Sequence, residues 1–181
     1  IEARGELDDT IIVCSSDHGE HNGDAGLIYK ETFLDGPVRV PLLVRAPVGA
    51  GMAAGSTSAA LVEWFDIGPT ILELVGGEAD YPQFARPLGP VLRDPGLPHR
   101  AEALSELRGE VMVLAERWKA ALNAEGQVYM LFDREEDPEE QRNLAGSQAT
   151  RDVESGLRLR LLERLLQTQL HGTAYRLAEH G

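Results

Sequence analysis

A short apolar run that leads directly into an aspartate, a histidine and a glycine constrains this chain more than any other feature. Residues 10–20 read TIIVCSSDHGE, and the apolar residues 11–14 are mostly β-branched. A continuous run of this kind predicts a strand buried on both faces of a parallel sheet, with Cys14 as a small packed thiol. Such sheets bind ligands beyond the carboxyl ends of their strands, so we expect chemistry at the residues that follow.

Asp17 and His18 come directly after this run and are both ligand types for a divalent cation. A carboxylate offers a hard anionic oxygen, and a neutral imidazole offers a nitrogen lone pair. Gly19 allows the backbone to turn sharply afterwards. Two ligands alone do not make a metal site, so this dipeptide is equally compatible with a strand end at which Asp17 caps a turn. The residues beyond it favour the metal site.

The motif continues through a glycine-rich turn and a lysine into a second strand-like run. Residues 21–30 read HNGDAGLIYK, and residues 38–45 read VRVPLLVR. Together with residues 10–20 they resemble, without a gap, the sulfatases of the alkaline phosphatase superfamily. Two later segments, residues 66–76 (DIGPTILELVG) and 131–145 (LFDREEDPEEQRNLA), also resemble segments of these enzymes. The chain is therefore similar to the C-terminal portion of a formylglycine-dependent sulfatase.

The resemblance implies an α/β fold in two parts. Residues 1–100 would form the C-terminal part of an alkaline-phosphatase-like mixed sheet flanked by helices. Residues 101–181 would form a small α+β subdomain of antiparallel sheet and helix.

The resemblance also assigns roles to three side chains. Asp17 and His18 would bind a divalent metal, with Ca²⁺ or Mn²⁺ expected first and Zn²⁺ or Mg²⁺ as alternatives. Lys30 would be catalytic, because its compact ammonium suits the oxygens of a sulfate group and of the leaving group. A solvated surface lysine is the alternative interpretation of Lys30. The family often has histidine at the position of Ala25, and this departure leaves the substrate pocket undefined.

The nucleophile that the resemblance implies has no counterpart in these residues. Sulfatases convert the first residue of a C/S-x-P/A-x-R motif to formylglycine, whose hydrated diol attacks sulfur. Cys14 lacks the arginine of that motif, and the loose match at residues 147–151 (SQATR) lies on the wrong side of the metal motif. We therefore expect this chain to be inactive alone, with the N-terminal part of the same protein as its partner. Asp8 and Asp9 are interpreted as polar residues that precede the strand.

Composition excludes some classes of protein. A net charge of −13 argues against nucleic-acid binding. No apolar run reaches the roughly 20 residues that cross a bilayer, so we expect no membrane span. The single cysteine permits no internal disulfide, which is compatible with a bacterial-type cytoplasm or periplasm.

Several elements are predicted outside the motif. Asp66 should cap a helix over residues 67–75 that ends at two glycines, and Trp64 and Phe65 should lie in the core. The proline-rich residues 76–100 predict an irregular connection, in which His99 and Arg100 are an ordinary loop pair.

Residues 101–122 are ambiguous, because Ala, Leu and Glu favour a helix, whereas the resemblance implies strands around residues 111–114 and 117–122. Residues 127–132 predict a returning strand, and an amphipathic helix follows over residues 153–170. We expect the apolar stripe of this helix to pack on the small sheet, with a contact in a homo-oligomer as the alternative. The stripe comprises Leu157, Leu161, Leu162, Leu165 and Leu166. The acidic residues 133–140 should form a solvated turn, because they lack the spacing of a calcium-binding loop.

The expected function is hydrolysis of small-molecule sulfate esters by the intact enzyme. A phosphonate or phosphate ester hydrolase of the same superfamily is one alternative, because the two tetrahedral anions differ little in shape. A non-catalytic interaction module is the other.

Overall fold

The computed structural model describes residues 1–81 and 83–178, with side chains as far as residue 167. The chain divides into two compact units. Unit 1 comprises Ile1–Lys30 and Gly36–Ala103, and unit 2 comprises Glu31–Asp35 with the residues from Leu104 onward. The mixed α/β fold class is confirmed, whereas the boundary between residues 100 and 101 stays a prediction. No helix in the described part of the chain is long and apolar enough to span a membrane.

Unit 1 contains a two-stranded sheet. Strand β1 (Ile12–Ser15) pairs antiparallel with β2 (Leu42–Arg45), so that Val13 lies opposite Val44. The predicted parallel strand, buried on both faces, is therefore wrong: within the described residues β1 has one partner, and its residues alternate between exposed and partly buried. Cys14 points to the exposed face of this pair and is not a packed thiol.

Helices complete unit 1. The short α1 (Asp35–Val38) begins at the last residue of the unit 2 segment and precedes β2. Helix α2 (Ile67–Leu74) confirms the predicted helix, and Gly76 ends it with a φ of 80° that suits glycine. The connection after it is irregular except for α3 (Gly89–Arg93), and Pro82 lies outside the described residues.

Unit 2 is built on a four-stranded sheet in the order β3–β4–β5–β6. The strands β4 (Glu110–Ala115), β5 (Trp118–Leu122) and β6 (Val128–Asp133) confirm the three predicted strands. Strand β3 (Glu102–Leu107) was not predicted, because its sequence EALSEL is rich in helix-forming residues. Pairing with β4 outweighs that local preference.

Helix α4 (Arg151–Ala178) covers the sheet of unit 2. Leu157 and Leu161 are buried in one cluster with residues of the strands, which confirms the predicted packing on the small sheet. Leu162 and Leu166, also placed in that apolar stripe by the sequence, are more than half exposed. The buried stripe of the helix is therefore narrower than predicted.

Candidate functional site

The backbone after β1 is fixed by a close crossing of two segments. The Gly19 amide donates a hydrogen bond to the Pro37 carbonyl at 2.7 Å. A Cβ atom on Gly19 would lie only 2.0 Å from the carbonyl oxygen of Gly36. Glycine is therefore required here by the approach of the neighbouring backbone, which places the adjacent His18 in a defined position.

The three predicted site residues meet in unit 1. The Nζ atom of Lys30 is in hydrogen-bond contact with Nε2 of His18. Oδ2 of Asp17 lies 3.5 Å from the same imidazole nitrogen. Asp17 and Lys30 are exposed and His18 is partly buried, so solvent reaches the cluster. The structure thus brings the three residues together, while their roles stay a prediction.

The hydrogen bonds of His18 define its tautomer. Its Nδ1 atom lies 2.9 Å from the Gly19 carbonyl oxygen, which can only accept a hydrogen bond, so Nδ1 carries the proton. The ammonium of Lys30 can only donate, so Nε2 must offer its lone pair. Both partners therefore assign the same neutral tautomer. In this state Nε2 of His18 accepts a hydrogen bond from the neighbouring lysine.

Asp17 is held in its ionised form. The backbone N–H of His18 donates to Oδ1 of Asp17 at 3.0 Å, and this hydrogen bond lowers the pKa of the carboxyl group below its usual value. The positive charge of Lys30 acts in the same direction. A carboxylate oxygen and an imidazole lone pair thus lie side by side on the exposed end of β1.

This pair fits part of a metal coordination shell. A histidine that binds a metal through one nitrogen commonly donates from the other to a backbone carbonyl, as His18 does to Gly19. In the described part of the chain, however, no group of three or more histidine, cysteine, aspartate or glutamate residues is placed to hold a metal ion. As metal ligands these residues would supply two donors, and a complete shell would require others.

A buried ion cluster elsewhere in unit 1 was missed by sequence reasoning. Arg100 contacts the carboxylate of Glu63 and lies 2.5 Å from Oδ1 of Asp66, and all three side chains are almost fully buried. His99 lies 3.2 Å from the other oxygen of Asp66. The interpretation of His99 and Arg100 as an ordinary loop pair is therefore wrong. A cation and two acids spaced 34 to 37 positions apart carry no local signal that could have revealed it.

The same cluster corrects two other expectations. Asp66 does not cap α2 with its side chain; it accepts a hydrogen bond from the Glu63 amide at 2.9 Å in a reciprocal cap of the short turn Trp64–Asp66. Trp64 and Phe65 are 56% and 43% exposed, so they are not core residues of this chain. Asp66 keeps the structural role predicted for it.

The acidic segment of unit 2 is not simply a solvated turn. Asp133 accepts two hydrogen bonds from Arg117, at 2.9 and 2.5 Å. The buried carboxylate of Glu140 lies 2.5 Å from Nζ of Lys119, whose side chain is also buried. Glu135 also lies 3.5 Å from Arg117, so three of the six acids in this segment serve as ion-pair partners inside the unit.

The loose match to the nucleophile motif has a structural explanation. Ser147 caps the turn Gln148–Thr150, and its hydroxyl accepts a hydrogen bond from the Ala149 amide at 3.3 Å. Arg151 begins α4. Ser and Arg at these positions therefore fit helix initiation, which agrees with a chance match.

Comparison with known proteins agrees with the resemblance. Residues 1–77 match the family model described as Sulfatase. Human N-acetylglucosamine-6-sulfatase is 39% identical over 113 residues, which cover 61% of this chain and 20% of that protein. Choline-sulfatase of Rhizobium meliloti is 34% identical over 155 residues, covering 77% of this chain and 28% of the relative. The chain thus spans about a fifth to about a quarter of the length of these two relatives.

Solved structures show the same fold. A protein determined in complex with its substrate D-glucosamine-2-N,6-O-disulfate superposes with a TM-score of 0.77 at 28% identity, covering 94% of this chain and 36% of that one. A phosphonate monoester hydrolase of Agrobacterium radiobacter gives a TM-score of 0.74 at 27% identity, covering 94% and 37%. From its sequence motifs, its fold and these similarities, the chain belongs to the sulfatase family of the alkaline phosphatase superfamily.

Proposed function

We propose that this chain supplies part of the active site of a metal-dependent enzyme that hydrolyses sulfate esters. The observation that carries the proposal is the convergence of Lys30, His18 and Asp17 at the end of β1. A cationic amine beside two metal-ligand side chains suits a tetrahedral oxyanion that is bound by the metal and the lysine together.

Each residue has a distinct role in this proposal. Asp17 and His18 would hold a divalent cation, which when bound polarises the ester and stabilises negative charge. Lys30 would donate hydrogen bonds to the sulfate oxygens and to the departing ester oxygen. Because its amine already lies against His18, substrate binding would require it to exchange one hydrogen-bond partner for another.

The nucleophile is proposed to be a formylglycine. The C/S-x-P/A-x-R motif from which it forms is matched in these 181 residues only at Ser147, which caps a turn. We therefore expect no turnover from the 181-residue chain alone.

A substrate class follows from the relatives. The human relative is named for a sulfate at position 6 of N-acetylglucosamine, and one structural neighbour holds a sulfated glucosamine. A hexosamine 6-sulfate is therefore the first natural substrate to assay. Phosphonate monoesters are the second candidate, because a phosphonate monoester hydrolase is a structural neighbour of similar TM-score.

The test is hydrolysis by the protein expressed from its complete coding region, with the 181-residue chain assayed in parallel. An aryl sulfate and the matching aryl phosphonate should be compared at equal enzyme concentration, with and without a chelator. We expect faster sulfate hydrolysis, lost on chelation, and a decrease in kcat/KM of about 100-fold or more for Lys30→Met. Faster phosphonate hydrolysis would favour the second candidate. No hydrolysis of either ester, with no C/S-x-P/A-x-R motif upstream of residue 1 in the coding region, would favour an interaction module.

Metal binding offers a separate test on the 181-residue chain. Because two protein ligands leave most of the shell to water, we expect Mn²⁺ to bind weakly and to broaden the NMR signals of Asp17 and His18 first. Asp17→Asn should weaken this effect. Asp9→Asn is the matched control, since Asp9 lies in the turn before β1 and the broadening should be unchanged.

A further inference from the structure

His21 is the one buried residue at the start of an otherwise exposed loop. Residues 22–30 are all exposed, whereas His21 retains 1% of its accessible surface. Its imidazole lies beside the backbone of Gly36, where an added Cβ atom would come 3.4 Å from Nδ1. A polar ring buried in this way packs the start of the loop against the backbone of unit 1.

The loop that follows His21 is closed by backbone hydrogen bonds. The amide of His21 donates to the carbonyl of Tyr29 at 3.0 Å, and the amide of Gly23 donates to the carbonyl of Leu27 at 2.9 Å. The first of these bonds forms the neck of the loop. Lys30 is the next residue after this neck, and His18 lies three positions before it.

This arrangement ties the position of Lys30 to His21. The two chain segments that leave the neck carry the two nitrogen atoms that meet, Nζ of Lys30 and Nε2 of His18. The crossing of Gly19 with Gly36 and Pro37 fixes the segment that carries His18. The segment that carries Lys30 is fixed through its hydrogen bond to His21.

We propose that His21 is a positioning residue: its buried imidazole anchors the neck of the loop and thereby holds the Lys30 ammonium against His18. His21 does not touch the reacting groups in this assignment. The catalytic meaning of the contact rests on the proposed function, whereas the contact itself can be measured without metal, substrate or turnover.

The lysine content of the chain makes the measurement simple. The sequence contains two lysines, of which Lys30 is exposed and Lys119 is buried in unit 2. In protein labelled with ¹³C at lysine and histidine, the ε-methylene of Lys30 should show a nuclear Overhauser effect to the ring of His18. We expect His21→Ala to lose this signal while the Lys119 resonance stays unchanged.

Matched variants distinguish a positioning role of His21 from general destabilisation of the fold. Asp24→Asn alters an exposed residue of the same loop away from its neck and should keep the signal. His21→Gln, which retains a polar side chain of similar length, should recover part of it. Gly36→Val serves if His21→Ala does not fold. A Cβ atom at this position would already lie at contact distance, 3.4 Å, from Nδ1 of His21, so the two further methyl groups should displace the imidazole and weaken the signal.

Two outcomes would overturn the proposal. One is a full Lys30–His18 signal in folded His21→Ala, and the other is an undiminished signal in Gly36→Val when His21→Ala does not fold. Loss of the signal in a protein whose complete coding region yields no sulfatase activity would leave the positioning role intact and reject the proposed function. A full signal in folded His21→Ala, in a protein whose complete coding region does yield sulfatase activity, would reject the positioning role alone.

Discussion

The ammonium nitrogen of Lys119 lies 2.8 Å from Oδ1 of Asp35, a residue 84 positions earlier in the chain. The same nitrogen lies 2.5 Å from Oε1 of Glu140, and Oε2 of Glu140 accepts a hydrogen bond from the Asp35 amide at 2.8 Å. Burial alone would raise the pKa of Asp35, but the hydrogen bond and charge of Lys119 outweigh it and lower the pKa. One buried cation thus holds Glu31–Asp35 to the sheet of unit 2.

Replacing Lys119 with methionine should strongly destabilise unit 2. The substitution keeps the length of the side chain but removes the cation that the two carboxylates share, so that Asp35 keeps only Arg134, at 3.6 Å. Breaking a buried ion pair from one side lowers the free energy of unfolding by about 3–5 kcal/mol. Urea unfolding followed by Trp118 fluorescence, in a Trp64→Phe background, measures the change.

The second lysine of the chain provides the control. Lys30 is exposed, so Lys30→Met should change the free energy of unfolding by no more than about 0.5 kcal/mol. Equal losses in the free energy of unfolding for the two substitutions would contradict the assignment of Lys119 as a buried, stabilising ion-pair partner.

Replacing Arg100 should destabilise unit 1 in the same way. Arg100→Met would leave Glu63 and Asp66 buried without their shared cation, at a cost of about 3–5 kcal/mol in the free energy of unfolding. Arg100→Lys should rescue little, because an ammonium cannot reach both carboxylates with the planar fork of a guanidinium. Trp64 fluorescence in a Trp118→Phe background measures unfolding of this unit.

An exposed ion pair of unit 1 serves as the comparison. Arg93 lies 3.3 Å from Glu73, and its side chain is 49% exposed. Arg93→Met should therefore lower the free energy of unfolding by no more than about 1 kcal/mol. A loss as large as that of Arg100→Met would mean that burial does not set the strength of these pairs.

Sequence reasoning reached the elements whose signals are local. Strand β6 and helix α2 follow from apolar runs between turn residues. Strands β4 and β5 were predicted from the resemblance, because the composition of residues 101–122 favours a helix as much as a strand. Strand β3 was missed because Ala, Leu and Glu favour helix in isolation, and only its pairing partner reveals the strand. The apolar run of β1 indicated a strand, but neither its partner nor its direction can be read from the run itself.

The residues of the candidate site were likewise predictable where they are close in sequence, whereas the buried ion pairs, whose partners are distant in sequence, were not. Asp17, His18 and Lys30 stand in a recognisable register, so their grouping could be predicted from the resemblance. The buried partners Arg100 with Asp66, and Lys119 with Asp35, are distant in sequence, and each looks like an ordinary surface charge. These charges become buried ion pairs only when the chain folds, and no local sequence pattern predicts that burial.

Acid should weaken unit 2 through Asp133. The hydrogen bonds that Arg117 donates hold the pKa of Asp133 below its usual value. Because the folded pKa is depressed, the stabilisation is complete above the unfolded value of about 3.9 and disappears as the pH falls through the folded pKa.

The free energy of unfolding of Asp133→Asn should therefore lie below that of wild type near neutral pH and approach it in acid. Glu139→Gln, at an exposed position of the same segment, is the control. A constant difference between Asp133→Asn and wild type from neutral to acid pH would contradict the linkage.

Tyr129 should ionise later than an ordinary tyrosine. Burial raises the pKa of its phenol, and the hydrogen bond that its hydroxyl donates to Glu110 at 2.7 Å raises the pKa further. Alkaline titration followed by phenolate absorbance should show one tyrosine, absent in Tyr129→Phe, that ionises above the usual value of about 10.

Glu110→Gln should move that step toward lower pH, because it removes the negative charge beside the phenol. Since the folded pKa is raised, this stabilisation is present below the unfolded value and is lost as the pH rises above it. A Tyr129 step that coincides with those of the exposed Tyr29 and Tyr81 would show that the phenol is not buried against β4 in solution.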